Sequence, residues 1–394
     1  MQTSETYRFL IFGLTSFHSL PQREQAMAAE LAHRGHRIDF IEIAPSVAGK
    51  MQAFVHRTFS PLGQDTGFKY AAVPPNLHIH TPPTLPTGFR NSLTPPADRS
   101  IFRSWFRREF AGHDFSDAIV IINIPLWWGN FIDRTLVSPR VLIYDICDAL
   151  EVQSRFDRTL QRLRAGETLL KREVDLVTYS AAEMRQDVEQ RFADTKTLFL
   201  PNAVGGDFID AVQRIPRTAN GDPSPHIGYI GATTGKWFDE ELFLGLLKRF
   251  PTYRFSVIGP VENPFADRCR VHANVTLHGF VQHENLPDWL QRFDAAIIPF
   301  RHNAITRVVN PLKMYEYASA GLPVVARWTE ELEHYAGHVY LARTASEFGN
   351  KLELAVTEDS ASLRRERMHF AASNTWKVRC DRLLDHLHQH AATV

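Results

Sequence analysis

Residues 306–327 read TRVVNPLKMYEYASAGLPVVAR, and the fold turns on how this stretch is parsed. It divides into a loop, a short helix, a turn and a strand. Asn310 has the side chain favoured at a helix N-cap, and Pro311 has the fixed φ suited to a first helical turn. Gly321 suits the left-handed position that ends a helix, and Pro323 prevents its continuation. The spacing therefore predicts a helix near 311–320, with the small Ala318, Ser319 and Ala320 letting it press against a sheet, and a strand at 323–327. A helix starting at the carboxyl edge of a parallel sheet offers unpaired N–H groups and a positive dipole end, a local device for holding phosphate. Lys313 adds a full charge in the first turn. Glu316 lies about one turn further along the same face, where a carboxylate can accept hydrogen bonds from vicinal hydroxyls such as those of a ribose. The alternative is an ordinary surface pair of opposite charges at i,i+3.

The rest of the chain frames this element. At 394 residues the length fits two domains, each able to bury its own core. Lys plus Arg and Asp plus Glu number 44 each, so no global field favours nucleic acid or an anionic bilayer, and an anion site must be built locally. Cys147, Cys269 and Cys380 are odd in number and lack CxxC spacing. That argues against a disulfide scaffold or structural zinc and for a reducing cytosol. The start, MQTSETYRFLIFG, has no basic n-region, and the apolar run 118–132 is broken by Asn123, Pro125 and Gly129. We therefore expect neither a signal peptide nor a membrane span.

Apolar runs alternate with helical patterns in the rhythm of β-α-β units and parallel sheets. In the first half the strand candidates are 7–14, 37–43, 118–124, 141–146, 176–180 and 197–200, with helices near 21–33, 154–172 and 181–193. Residues 45–116 are rich in Pro and poor in pattern, which predicts a long excursion. After QRIPRTANGDPSPH (213–226), read as a linker, the rhythm restarts with strands at 227–232, 253–259, 275–280, 295–300 and 323–327. The amphipathic pattern at 373–390, anchored by Trp376, predicts a terminal helix.

The block PFRHNAITRVVNPLKMYEYASAGLPVVA (299–326) resembles the nucleotide-sugar site of family-4 glycosyltransferases, and most closely a subgroup with Pro-Leu-Lys-x-Tyr-Glu-Tyr. The resemblance implies a GT-B fold, an α/β architecture of two doubly wound Rossmann-like domains facing a cleft. The expected division is an acceptor domain at 1–212, a donor domain at 213–372 and a helix at 373–394 packing back onto the first domain. By the same resemblance Glu316 holds the donor's ribose and Lys313 lies near its diphosphate, while the family's paired Glu falls on Val308. HIGYIGATTGKWFDEELF (226–243) is similar to the family's first donor-domain strand and Gly-rich turn, which places Gly231 near the phosphates. The family's Arg after that Gly is Ala232 here, so Lys236, Arg301 and Arg307 become candidates for neutralising phosphate, with Asn310 beside them. Taken alone, GATTG also fits an ordinary β-α turn.

In the first half, FHSLPQREQAMAAELAHRGHRIDFIEI (17–43) and SAAEMRQDVEQRF with LFLPNAV (180–204) resemble the family's first helix and domain-closing passage. YDICDALEV (144–152) sets Asp145 and Asp148 at the carboxyl end of a strand, where open α/β sheets bind ligands; helix capping by one Asp is the alternative. Family-4 resemblance favours retention of configuration. If transfer is inverting instead, Asp148 is our choice of general base. His18, Asp145 and Trp127 are acceptor-side candidates, although a surface imidazole is the preferred explanation of His18.

These readings predict a metal-independent, cytoplasmic hexosyltransferase of polysaccharide or glycoconjugate biosynthesis. The donor is a nucleotide sugar, with UDP-sugars favoured, and the acceptor a saccharide or lipid-linked saccharide; no nucleic acid is expected. RSIFRSWFRREF (99–110) aligns Phe102, Trp105, Phe106 and Phe110 on one face, which fits either a membrane-surface helix or a core-packed one. The rivals are a nucleotide-sugar epimerase of the same fold and a non-catalytic two-lobed sugar-binding protein. A dinucleotide dehydrogenase is disfavoured because the first turn, FGLTSFHS, lacks GxGxxG.

Overall fold

The computed structural model describes residues 6–18, 22–47, 73–86, 95–150, 157–217, 224–233 and 236–391. Residues 48–72 and 87–94 of the Pro-rich region, 218–223 of the expected linker, and Thr234 and Gly235 of the Gly-rich turn lie outside them. Two compact units make up the chain. One is 1–180 with 184–200; the other is 181–183 with 201–394.

The first unit is a parallel sheet built from β1 (Arg8–Phe12), β2 (Arg37–Ile41), β3 (Leu77–His80), β4 (Ile119–Ile122), β5 (Val141–Ile146), β6 (Leu176–Tyr179) and β7 (Lys196–Phe199). Its order is β3-β2-β1-β4-β5-β6-β7, so the winding reverses between β1 and β4. The central strand β4, IVII, is apolar throughout, and β1 and β5 are mostly so, as expected of a parallel sheet with both faces covered. β3 was not foreseen. Its sequence, LHIH, alternates with histidines at a sheet edge, which weakens the apolar signal.

RSIFRSWFRREF lies in helix Pro95–Glu109. Phe102, Phe106 and Phe110 are buried, and Phe102 packs on Trp127 and Phe131 with ring centroids 5.2 and 5.5 Å apart. The apolar face is thus used within the unit's own core. Arg99 and Arg103 pair with Asp133 at 2.8 Å each.

The second unit repeats the plan with β8 (His226–Ile230), β9 (Arg254–Ile258), β10 (Val275–Gly279), β11 (Ala295–Ile298), β12 (Val324–Arg327) and β13 (Tyr340–Ala342). The order β10-β9-β8-β11-β12-β13 reverses between β8 and β11. The division between units falls at 200/201, earlier than the expected 212. Helix Gly206–Arg214 explains the shift, because Phe208, Ile209 and Val212 enter the second unit's core. The terminal helix Trp376–Ala391 also belongs to this unit. Arg379 Nε at its start donates to the Pro201 carbonyl at 3.0 Å.

The helix that opened the sequence reading spans Leu312–Ser319. Pro311, with φ −77° and ψ 118°, occupies the N-cap position, and no side chain caps the helix. Asn310 is therefore not the cap. At the other end Gly321 has φ 69°, its N–H donates to Ala318 O at 2.9 Å, and Leu322 N–H donates to Tyr317 O at 3.2 Å. These two bonds are the Schellman pattern that an αL glycine permits.

Candidate active site

In open α/β sheets the ligand crevice lies outside the carboxyl ends of the strands where the winding reverses. In the second unit that place is the end of β8 and β11, and helix Leu312–Ser319 supplies its side chains. The triplet Tyr315-Glu316-Tyr317 divides its labour. Tyr315 stacks on Phe370 at 5.6 Å, and its hydroxyl donates to Asn310 Oδ1 at 3.1 Å. The Tyr317 hydroxyl accepts the Ile230 N–H at 2.8 Å and so clamps the last residue of β8. Glu316, between them, turns towards the site with 7% of its surface exposed.

Lys313 reaches the turn after β8. Its Nζ lies 3.4 Å from the Tyr229 hydroxyl, and 4.5 and 5.3 Å from the ring centres of Tyr229 and Phe300. Burial lowers its pKa to about 8, with Glu316 opposing the shift. Two aromatic faces hold the ammonium in place of water or an anion. Gly231 has φ 146°, and a Cβ added there would stand 2.4 Å from Lys313 Nζ. A side chain would fill the space beside the amine, so glycine keeps the approach to it open.

Glu316 Oε1 lies 2.9 Å from His283 Nε2. His283 sits in the short turn His283–Asn285 after β10, with its ring 4.8 Å from Phe208. The sequence offered no signal for this pair, because the residues are far apart in the chain and belong to no shared motif. Burial depresses the His283 pKa, but the Glu316 carboxylate and the charge of Asp207 outweigh it and raise the value above that of an ordinary imidazole.

The remaining donor-side candidates divide. Lys236 is half-buried and its carbonyl accepts from Asn303 Nδ2 at 3.1 Å. Arg301 and Arg307 are exposed; Arg301 Nε donates to Phe238 O at 3.0 Å. Asn303 Oδ1 accepts the Ile305 and Thr306 N–H groups at 2.9 and 3.0 Å and so orders the loop that carries Arg307. Asn310 is buried in a different role. Its Nδ2 donates to Glu331 Oε1 at 2.9 Å and to the Tyr335 hydroxyl at 2.8 Å, while Oδ1 accepts the Asn202 N–H at 3.2 Å. With its amide committed to protein groups, Asn310 holds the structure behind the helix rather than meeting a ligand.

In the first unit Asp145 is 1% exposed and is held by Arg23 Nε and Nη2, each at 2.8 Å. Thr178 Oγ1 and Asn123 Nδ2 complete its contacts at 2.6 and 3.1 Å. A carboxylate so satisfied is structural. Trp127 is fully buried, with Nε1 donating to Gly13 O at 2.9 Å. Neither residue presents a surface to an acceptor. His18 is exposed beside Phe17, on a loop tied by Glu24, which accepts the Leu14 and Thr15 N–H groups at 2.6 and 2.9 Å. Asp148, just past β5, stays half-buried. Burial raises its pKa to about 7, with Arg23 opposing.

Known proteins resemble this chain in sequence and in fold. Residues 224–356 match the family model described as Glycosyl transferases group 1, a span that contains Gly231, His283, Lys313 and Glu316. TuaH of Bacillus subtilis, assigned as a glycosyltransferase of teichuronic acid biosynthesis, is 23% identical over 171 residues. The match covers 41% of this chain and 43% of TuaH, so it spans less than half of that relative. Sucrose-phosphate synthase of Thermosynechococcus elongatus superposes with a TM-score of 0.66 at 14% identity, covering 98% of this chain and 100% of the other. Anabaena HepE, solved in complex with UDP and glucose, gives 0.64 at 14% identity, covering 96% and 98%. The chain has the GT-B fold of two parallel-sheet Rossmann-like domains, and its residues 224–356 resemble the glycosyl transferases group 1 family.

Proposed function

We propose that this protein is a glycosyltransferase that moves a sugar from a nucleoside diphosphate donor to a saccharide or lipid-linked saccharide acceptor in polysaccharide biosynthesis. The observation that carries this reading is the group at the end of β8: Lys313 beside the open Gly231 turn, with Glu316 one turn further along the same helix. The diphosphate lies on the helix start and the Lys313 ammonium, and Glu316 accepts from the ribose hydroxyls. Charge growing on the leaving diphosphate is met by that ammonium, with the exposed Arg301 and Arg307 and with Lys236 as further cations, so no metal is required in this scheme. UDP-sugars are the favoured donors; HepE, of the same fold, was solved with UDP and glucose.

On the acceptor side Asp148 is the proposed general base. A carboxyl with a pKa near 7 suits a group that takes a proton at neutral pH. Such a base implies inversion at the anomeric carbon. We place the reaction in the cytoplasm, in keeping with three widely spaced cysteines, Cys147, Cys269 and Cys380, that lack CxxC spacing. Among the described residues no helix is long and apolar enough to cross a membrane.

The test is a panel of nucleotide sugars incubated with the protein, with and without oligosaccharide and lipid-linked acceptors, read by released nucleoside diphosphate and by the sugar product. Acceptor-dependent release supports transfer. A donor sugar converted to its epimer with no acceptor present would assign the site to epimerisation instead.

A further inference from the structure

Glu316 is the only carboxylate our donor-site reading uses, and one of its two oxygens is already committed. Oε1 is bound to His283 Nε2 at 2.9 Å, whereas Oε2 has no hydrogen-bond partner among the described residues. A glutamate side chain has three torsions to fix before it can present an oxygen in one direction, and a free rotor loses that entropy on binding. The imidazole is itself held from two sides. Its backbone lies in the turn His283–Asn285, and its ring rests 4.8 Å from Phe208 on the neighbouring helix.

We propose that His283 is a positioning residue of the donor site, fixing the Glu316 carboxylate through Oε1 so that Oε2 is offered to the ribose hydroxyls of a nucleoside diphosphate. This rests on the assignment of Glu316 to the ribose. The charge arrangement favours the same role. The groups that face His283 are Glu316 and Asp207, both acidic, and Glu284 follows it on its own turn. An imidazolium there is drawn to the Glu316 carboxylate, which strengthens the contact that fixes Oε1. Because the contact raises the His283 pKa, the paired state is complete at low pH and is lost as pH rises through the raised value.

The experiment is calorimetric titration of the full-length protein with UDP and with 2′,3′-dideoxy-UDP, using wild type, His283→Ala and His283→Gln. Thermal unfolding confirms that each variant is folded. We expect His283→Ala to weaken UDP about tenfold, the size of one charge-assisted hydrogen bond, and to leave dideoxy-UDP within about twofold, since no ribose hydroxyl remains to be positioned. His283→Gln, whose amide can still donate to Oε1, should recover most of the loss. Equal losses for both nucleotides, or UDP affinity unchanged in His283→Ala, overturns the positioning role while leaving the donor site intact. If wild type binds UDP no better than dideoxy-UDP, the ribose assignment of Glu316 fails, and the inference with it.

Discussion

Lys313 is the residue whose ionisation the proposed donor site depends on most. Its amine is stored against Tyr229 and Phe300 with a pKa of about 8, while a diphosphate needs it charged. Below that value the free protein already carries the proton. Above it, binding must take one up, so UDP affinity should fall by up to about tenfold per pH unit. Calorimetry in alkaline buffers reads this limb, and Lys313→Ala should abolish it along with most of the turnover. Asp148 gives the opposite limb. A base must be unprotonated, so kcat/KM should rise as pH rises through about 7. Asp148→Asn should lower turnover by about 10²–10⁴-fold with donor affinity kept; an Asn variant of wild-type rate removes Asp148 from catalysis. The sequence pointed to Lys313, Glu316 and Asp148 because each sits in a short local motif at a strand or helix end. It could not show that Asp145 is consumed by Arg23, or that Glu316 leans on His283, since those partners come from distant parts of the chain.

At the scale of elements, helix Pro95–Glu109 shows what amphipathicity alone leaves open. Its pattern fitted a protein core first and a bilayer surface second, and Phe102 and Phe106 pack on Trp127, Phe12 and Phe131. Phe106→Ala should therefore destabilise the fold by about 3–5 kcal/mol, measured by denaturant unfolding, and leave vesicle co-sedimentation as in wild type. Reduced vesicle binding without loss of stability would instead support the membrane reading. Helix Leu312–Ser319 was legible nearly to its ends because Pro311, Gly321 and Pro323 punctuate it. Its start was misread at Asn310, whose side chain is drawn away by Glu331 and Tyr335. The edge strands β3 and β13 escaped notice because β3 alternates with histidines and β13 is only three residues long.

At the scale of the whole molecule, two sheets with the same reversal of winding repeat one plan. That repetition was visible in the alternation of apolar and helical runs. The boundary was not, since helix Gly206–Arg214 precedes the polar linker yet packs in the second core. If Asp148 is the base, the product's anomeric configuration, read from NMR couplings, should be opposite to the donor's. Retention with an active Asp148→Asn protein would return the reaction to the mechanism the family resemblance favours. The most direct test of the donor site itself is calorimetric binding of UDP, and of GDP in parallel, to wild type and to Glu316→Ala. Saturable binding of at least one nucleotide, weakened by about 1.5–3 kcal/mol in the variant, is the predicted result. Failure of wild type to bind either nucleotide, or equal binding by a folded Glu316→Ala, would contradict it.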